Sequence, residues 1–307
     1  MSTLQLVDGF LLKHRTDQEI LPTTTETEME AATGGLVLTP SSGMRDYVGV
    51  FDLTSLYPST MLTLNLSRET IVEEKAEADI IVPDVPLNDD QVPGDRITAR
   101  DISWDFEDGV GISFDQQGFL PKYGSLLFDD RDAMKRERSK YDSDSPNWVV
   151  WDNKQNSIKV LMNSMFGVSD NKYFRLSTEG LGDAITGGSR YVTWKASEIL
   201  RDITNSTMVY GDTDSLLIQY PVEGHPEDVE IRDVVEWMLE TNDRLNARMS
   251  EVADGYGLPE DHPYMRGMDL HGTERHCWEF QCETVYRRFI QTGKKKRYAG
   301  NIAWSAD

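Results

Sequence analysis

The stretch TMVYGDTDSLLIQY, residues 207–220, decides how the rest of the chain is read. Two runs of β-favouring residues flank a bend that holds Gly211, Asp212 and Asp214. Apolar and aromatic residues on either side of a Gly/Asp cluster predict a hairpin. Residues two apart in an extended segment point the same way, so Asp212 and Asp214 are expected to share one side. A second strand is predicted over 47–53, YVGVFDL, with Asp52 near its end. If the two strands lie side by side, three carboxylates converge. Such a cluster suits Mg²⁺, which prefers oxygen ligands. Two ions about 3.5–4 Å apart can clamp the attacking and leaving oxygens of a phosphoryl transfer. Each aspartate taken singly also reads as an ordinary turn former.

Outward from these strands the spacing becomes helical. In TSLYPSTMLTLNLS, 54–67, Pro58 stops the strand and apolar residues then recur at helical intervals. A helix is predicted over 120–141, with Arg131 and Lys135 four apart on one face. DSDSPN, 142–147, is a dense turn signal. A second helix follows over 148–166, where Gln155, Lys159 and Asn163 recur at the same interval, with Gly167 just beyond. Two helices joined by a short turn make an αα-hairpin. Its cationic face, set opposite acidic metal ligands, is what a triphosphate requires. It equally fits a solvated helix face. Further helices are predicted over 178–204 and 228–256, and 278–304 reads as β-rich. Residues 16–33 read as a solvated linker or an extended surface segment. Residues 73–118, acidic and broken by Pro83, Pro86 and Pro93, read as an irregular insertion with one hairpin near 102–114. The predicted fold is α+β, with an antiparallel sheet and packed helices.

Composition pulls the other way. The 307 residues carry 53 Asp and Glu against 31 Lys and Arg, a net charge of −22. Phosphate affinity comes largely from Lys and Arg, so the total argues against a nucleic-acid partner. Locally the sign reverses: Arg287, Arg288, Lys294, Lys295, Lys296 and Arg297 lie in 285–299 with no acid among them. The acidic balance resembles proteins of haloarchaea or their viruses, adapted to high internal salt. At molar salt the Debye length falls to about 3 Å, which screens bulk repulsion from DNA. No apolar run approaches the ~18 residues of a membrane span. The N-terminus does not read as a secretory signal. Cys277 and Cys282 fit no zinc or redox spacing, and a reduced cytoplasm is the expected setting. The five histidines form no metal-ligand pattern.

FDLTSLYPS (51–59), KVLMNSMFG (159–167), YGDTDS (210–215) and TGKKKRYAG (292–300) resemble the signature motifs of family B DNA polymerases, in that family's order. GFLPKYGSLLFDDRDAMK, 118–135, is similar to its fingers helix. The resemblance, over about 34–300, implies a DNA-directed DNA polymerase using two Mg²⁺ ions, deoxynucleoside triphosphates and primer–template DNA. It implies Asp52 and Asp214 as principal metal ligands, with Asp212 a third carboxylate. The backbone at Leu53, Ser55 and Leu56 would meet the triphosphate, gripped by Arg131, Lys135, Lys159 and Asn163. Tyr57 would be the steric gate against a 2′-hydroxyl. Phe166 and Gly167 would lie at the new base pair, and Lys295, Lys296, Arg297 and Tyr298 along the duplex.

The same resemblance divides the chain into an N-terminal linker or remnant (1–33), a first palm segment with the acidic insertion (34–118), a fingers hairpin (119–167) and a second palm segment (168–307). Thumb and exonuclease domains are not expected within the chain, so it reads as one piece of a larger polymerase, completed by other fragments. Departures are Phe166 where the family usually has Tyr, and Ala32 where a Tyr precedes Gly34-Gly35. Asp105-Phe106-Glu107 imitates an exonuclease motif in the wrong place. Two other readings stay open: a DNA-binding module without catalysis, and a reverse transcriptase or RNA polymerase. Tyr57 argues against ribonucleotide use.

Overall fold

A computed structural model describes residues 2–306, except 25, 30, 31, 33, 39, 41, 85–103 and 266–274. Ser2 opens α1 (Thr3–His14) with a reciprocal cap: its Oγ accepts the Gln5 amide at 3.3 Å, and the Gln5 side chain accepts the Ser2 amide at 2.9 Å. There follow β1 (Gly43–Leu53), α2 (Leu56–Thr63), β2 (Ile71–Val72), β3 (Ile80–Asp84), β4 (Asp105–Ile112), α3 (Phe119–Arg138), α4 (Pro146–Ser169), α5 (Leu181–Thr204), β5 (Met208–Asp212), β6 (Ser215–Gln219), α6 (Ile231–Ala247), α7 (Ser250–Tyr256), β7 (Phe280–Gln291) and β8 (Tyr298–Ser305).

Five strands pair in the order β5-β6-β1-β7-β8, all antiparallel. The expected mixture of helices and antiparallel sheet is present. β1 is central, and Phe51 and Leu53 enter the main core. Asp52, between them, therefore faces the other side of the sheet. The helices cover the core face. α5 is buried along most of its length, and α6 sends Met238 against Gly49, where a Cβ would fall inside the methionine side chain. On the opposite face Val48, Val209, Tyr210, Leu217 and Phe289 form a smaller cluster.

α3 and α4 form the expected αα-hairpin. Ser145 caps α4 by accepting the Trp148 amide at 3.1 Å, with Pro146 at the first helical position. Leu120, Tyr123, Leu127 and Phe128 of α3 and Met162, Met165 and Val168 of α4 all enter the main core. α1 packs on α4 through its buried Val7 and Leu11, burial worth roughly 1.5–3 kcal/mol for each side chain.

Three sequence expectations need correction. The N-terminal segment, expected as a linker or remnant, includes a helix that the sequence reading did not foresee: α1 is docked, and Glu19 accepts the Tyr123 hydroxyl at 2.7 Å and pairs with Lys122. The insertion is more ordered than its composition suggested, because β2, β4 and β3 form a second antiparallel sheet. Its strand β4 occupies most of the predicted 102–114 hairpin as one strand, while residues 85–103 lie outside the described set. The predicted 228–256 helix is two helices, since Arg248 leaves the helical hydrogen-bond pattern.

Behind α2, His262 is fully buried, with Nε2 2.8 Å from Thr63 O and Nδ1 accepting the Tyr264 amide at 3.2 Å. A neutral ring protonated on Nε2 satisfies both. Burial holds its pKa below the ordinary 6.5. Stability from a depressed histidine is complete above its unfolded value and is lost as pH falls below it. The melting temperature is expected to drop between about pH 7.5 and 5.5, and His262→Gln to start lower but slope less. Equal slopes in both proteins would contradict this.

Candidate active site

β5 ends at Asp212 and β6 begins at Ser215, so Thr213 and Asp214 alone make the turn. Thr213 sits at φ 62°, an uncommon place for a β-branched residue. Two bonds hold it there: its amide donates to Leu36 O at 2.7 Å, and its carbonyl accepts the Thr193 hydroxyl at 2.8 Å. The segment is thus a left-handed turn, and the alternation argument for Asp212 and Asp214 does not apply to it. What brings carboxylates together is strand register. Asp52 lies opposite Ser215, and the Leu53 amide donates to Asp214 O at 2.8 Å.

Asp52 and Asp214 are both half-buried. Burial, then the charges of Asp214 and Glu283, push Asp52 up to about 8, against a smaller pull from Lys159. Asp214 is also raised, chiefly by burial and then by Asp212, with Lys296 and Lys159 opposing. Asp212 is differently placed. Its carboxylate accepts Lys296 Nζ at 2.8 Å, Tyr210 Oη at 3.0 Å and Thr213 Oγ1 at 3.2 Å. Among the described residues no group of three His, Cys, Asp or Glu is arranged to hold a metal ion. Two carboxylates, not three, are left with their charge poorly compensated. That donor set fits a hard divalent cation, whose charge would favour the ionised form of both buried carboxylates.

The helical hairpin delivers part of the expected cationic face. Lys159 is exposed on α4, and its charge reaches both Asp52 and Asp214. Lys135 is pulled down by burial and by Arg131, and Glu279 acts on it in the opposite sense. The Glu279 carbonyl accepts the Thr54 amide at 2.9 Å, which ties that residue to the β1–α2 junction. Arg131 is buried, and its Nε donates to Gln155 Oε1 at 3.1 Å. Among the described residues it forms no ion pair with Asp52 or Asp214. Asn163 and Gly167 are exposed on α4. At the junction Ser55 is left-handed (φ 53°) and opens α2 with Leu56 and Tyr57. The Tyr57 ring stacks on Phe166, 4.0 Å between centroids and 12° from parallel. Burial and then Asp214 raise its phenol.

The KKKR segment is the β7–β8 turn, closed by Thr292 N–H donating to Arg297 O at 3.2 Å. Lys296 (φ 58°) folds it onto the carboxylate hairpin: its amide donates to Tyr210 Oη at 2.9 Å and its ammonium pairs with Asp212. Lys295 and Arg297 lie in the same turn, and Tyr298 packs edge-on to Tyr210 with its centroid 6.1 Å away.

Sequence reasoning marked Gly34-Gly35 but missed that 34–38 forms a strap, and it missed the α5 side chains beneath it. Leu38 N donates to Gly211 O at 2.9 Å, and Val37 bridges Asp212. Arg190, buried in α5, donates from Nη1 to Gly34 O at 2.7 Å. The available signal was polar: Thr186, Ser189, Arg190 and Thr193 interrupt a helix otherwise rich in buried apolar residues.

The arrangement can be set beside known proteins. A sequence profile of DNA polymerase family B matches residues 3–244. The chain belongs to that family. "DNA polymerase 2" of Aeropyrum pernix is 25% identical over 282 residues, covering 92% of this chain and 28% of that protein. "DNA polymerase 1" of the same organism is 29% identical over 271 residues, 87% of this chain and 21% of that protein. The DNA polymerase delta catalytic subunit of Bos taurus is 26% identical over 243 residues, 74% and 20%. The family B chain thus spans under a third of each of these relatives. The solved family B DNA polymerase of Pyrobaculum calidifontis superposes with a TM-score of 0.60 at 24% identity, over 99% of this chain and 32% of that one. That likeness bears on the fold, which is shared. Among the described residues no helix is long and apolar enough to cross a membrane.

Proposed function

We propose that this chain carries the catalytic centre of a template-directed DNA polymerase, adding deoxynucleotides to a primer 3′ end. The observation that carries the reading is the meeting of Asp52 and Asp214 across the β1–β6 register, under the charge of Lys159. The main sheet with its helices is then the palm, from 34–118 and 168–307, and α3–α4 are the fingers.

Asp52 and Asp214 are the residues that would hold two Mg²⁺ ions, with Asp212 beside them. Bound there, the ions supply charge stabilisation for the attacking primer oxygen and the departing pyrophosphate. The chain's own residues do the positioning. Lys159, Lys135, Arg131 and Asn163 orient the triphosphate, together with the backbone at Leu53, Ser55 and Leu56. Tyr57, backed by Phe166, lies where a 2′-hydroxyl would clash. Lys295, Lys296, Arg297 and Tyr298, with Gly167 across the site, meet the primer–template duplex, and contacts to its phosphates set affinity and register rather than sequence preference. The acidic surface supports a protein working at high salt, where its repulsion of DNA is screened.

Primer extension in high salt with Mg²⁺ tests the proposal. Templated deoxynucleotide addition is expected, abolished by a chelator and restored by added Mg²⁺. Addition that appears only with a second chain bearing thumb sequence assigns the activity to an assembly. A chain that binds primer–template DNA yet incorporates nothing in either format contradicts the reading.

A further inference from the structure

The geometry points to Arg190 as a positioning residue for sugar discrimination, because it anchors the strap that stands behind the Tyr57 ring. This rests on the reading of Tyr57 as the contact for the incoming sugar. Arg190 lies in the middle of α5 and is 1% exposed. A guanidinium at that depth has lost its hydration and needs strong polar partners. One of them is the Gly34 carbonyl, 2.7 Å from Nη1.

The neighbour of that carbonyl makes the bond consequential. A Cβ on Gly35 would fall 3.0 Å from Tyr57 Oη and 2.8 Å from Thr213 Cγ2. Gly35 is therefore wedged between the tip of the Tyr57 ring and the turn that carries Asp214. Phe166 already covers one face of the same ring. The strap continues along the hairpin: Leu36 O accepts the Thr213 amide at 2.7 Å, and Leu38 N donates to Gly211 O at 2.9 Å. Thr193, three residues after Arg190 and so on the same side of α5, donates to Thr213 O at 2.8 Å. One helix face thus grips both the strap and the carboxylate turn.

A steric gate discriminates only while its ring cannot retreat. Phe166 limits movement across the ring face, and Gly35 limits movement along the ring axis. Gly35 holds that place because Arg190 fixes Gly34. Without the anchor the strap can slide away, and Tyr57 can make room for a 2′-hydroxyl.

The test uses the full chain with Arg190→Met, Arg190→Lys and Gly35→Ala, and Tyr57→Ala as the reference for a lost gate. Two quantities are read. One is amide hydrogen exchange at Thr213 and Leu38, with α6 as internal control. The other is the ratio of kcat/KM for a deoxynucleotide to that for the matching ribonucleotide. In Arg190→Met both amides, each bonded between strap and hairpin, are expected to exchange roughly tenfold faster or more, the loss of a hydrogen bond to a charged group. The sugar ratio should fall about as far, toward the Tyr57→Ala value, with α6 unchanged. Arg190→Lys, which keeps a donor, should recover most of both. Unchanged exchange in Arg190→Met overturns the anchor, and a loosened strap with an unchanged ratio overturns the sugar role. If Arg190→Met does not fold, Gly35→Ala decides. It keeps the anchor and crowds both Thr213 and Tyr57, so an unchanged ratio there refutes the backstop, and with it the sugar role of Arg190. A wild-type chain that extends no primer removes the polymerase reading and the sugar role with it, whereas the exchange measurement still decides whether Arg190 anchors the strap.

Discussion

Asp214→Ala is expected to lower templated incorporation by about a thousandfold or more, several kcal/mol of transition-state stabilisation. The loss should come without unfolding. The backbone of Asp214 is held independently of its side chain, since its carbonyl accepts the Leu53 amide and its amide donates to Asp212 O. In the metal-free protein the side chain is a burden: its charge is one of the causes that raise Asp52. Removing it should let the Asp52 pKa fall from about 8 toward the ordinary range and leave the melting temperature equal or slightly higher. Activity lost while stability is kept or gained is the signature of a charge retained for chemistry. Single-nucleotide incorporation and thermal unfolding on the same preparation check it. A variant with a tenth or more of wild-type activity would contradict the assignment of Asp214.

Lys159→Ala is expected to cost about a hundredfold to a thousandfold in kcat/KM for the incoming triphosphate, the usual range for one preorganised charged or hydrogen-bonding group. Lys159 is exposed on α4, so stability should change by less than about 0.5 kcal/mol. The variant also has a titration signature. Lys159 lowers both Asp52 and Asp214, so its removal should move the acidic limb of the pH–rate profile to higher pH. Lys159→Arg should keep that limb in place while losing some of the rate, because a guanidinium carries the charge but not the compact ammonium geometry. A profile that does not move, with kcat/KM near wild type, would remove Lys159 from the site.

How much of this was legible in the sequence follows from how local each feature is. β1, the β5–β6 hairpin and the α3–α4 pair are written in spacing: alternation up to Asp52, a Gly/Asp bend at 211–214, and Arg131/Lys135 and Lys159/Asn163 at four-residue intervals. The partners of charged side chains were not legible. Asp212 meets Lys296 across 84 positions, and Arg131 turns to Gln155 on the facing helix. Neither follows from any local pattern. The small sheet was hidden because β2 has two residues, while β3 and β4 are separated by a Pro- and Asp-rich stretch. Arg190 looked like one more helical cation, and only packing reveals its depth. α1 did have a local sign, Ser2 and Gln5 at capping-box spacing before an apolar run, but the polar 16–33 segment that follows masked it.

The central claim is that Asp52 and Asp214 share divalent cations beneath a triphosphate held by the α3–α4 hairpin. Anomalous diffraction from crystals of the chain with primer–template DNA, Mn²⁺ and an unreactive deoxynucleotide analogue tests it most directly. The account predicts Mn²⁺ peaks within coordination distance of both carboxylates, with the triphosphate running from them to Lys159. Peaks confined to other acidic surfaces, or a triphosphate bound away from α4, would contradict it.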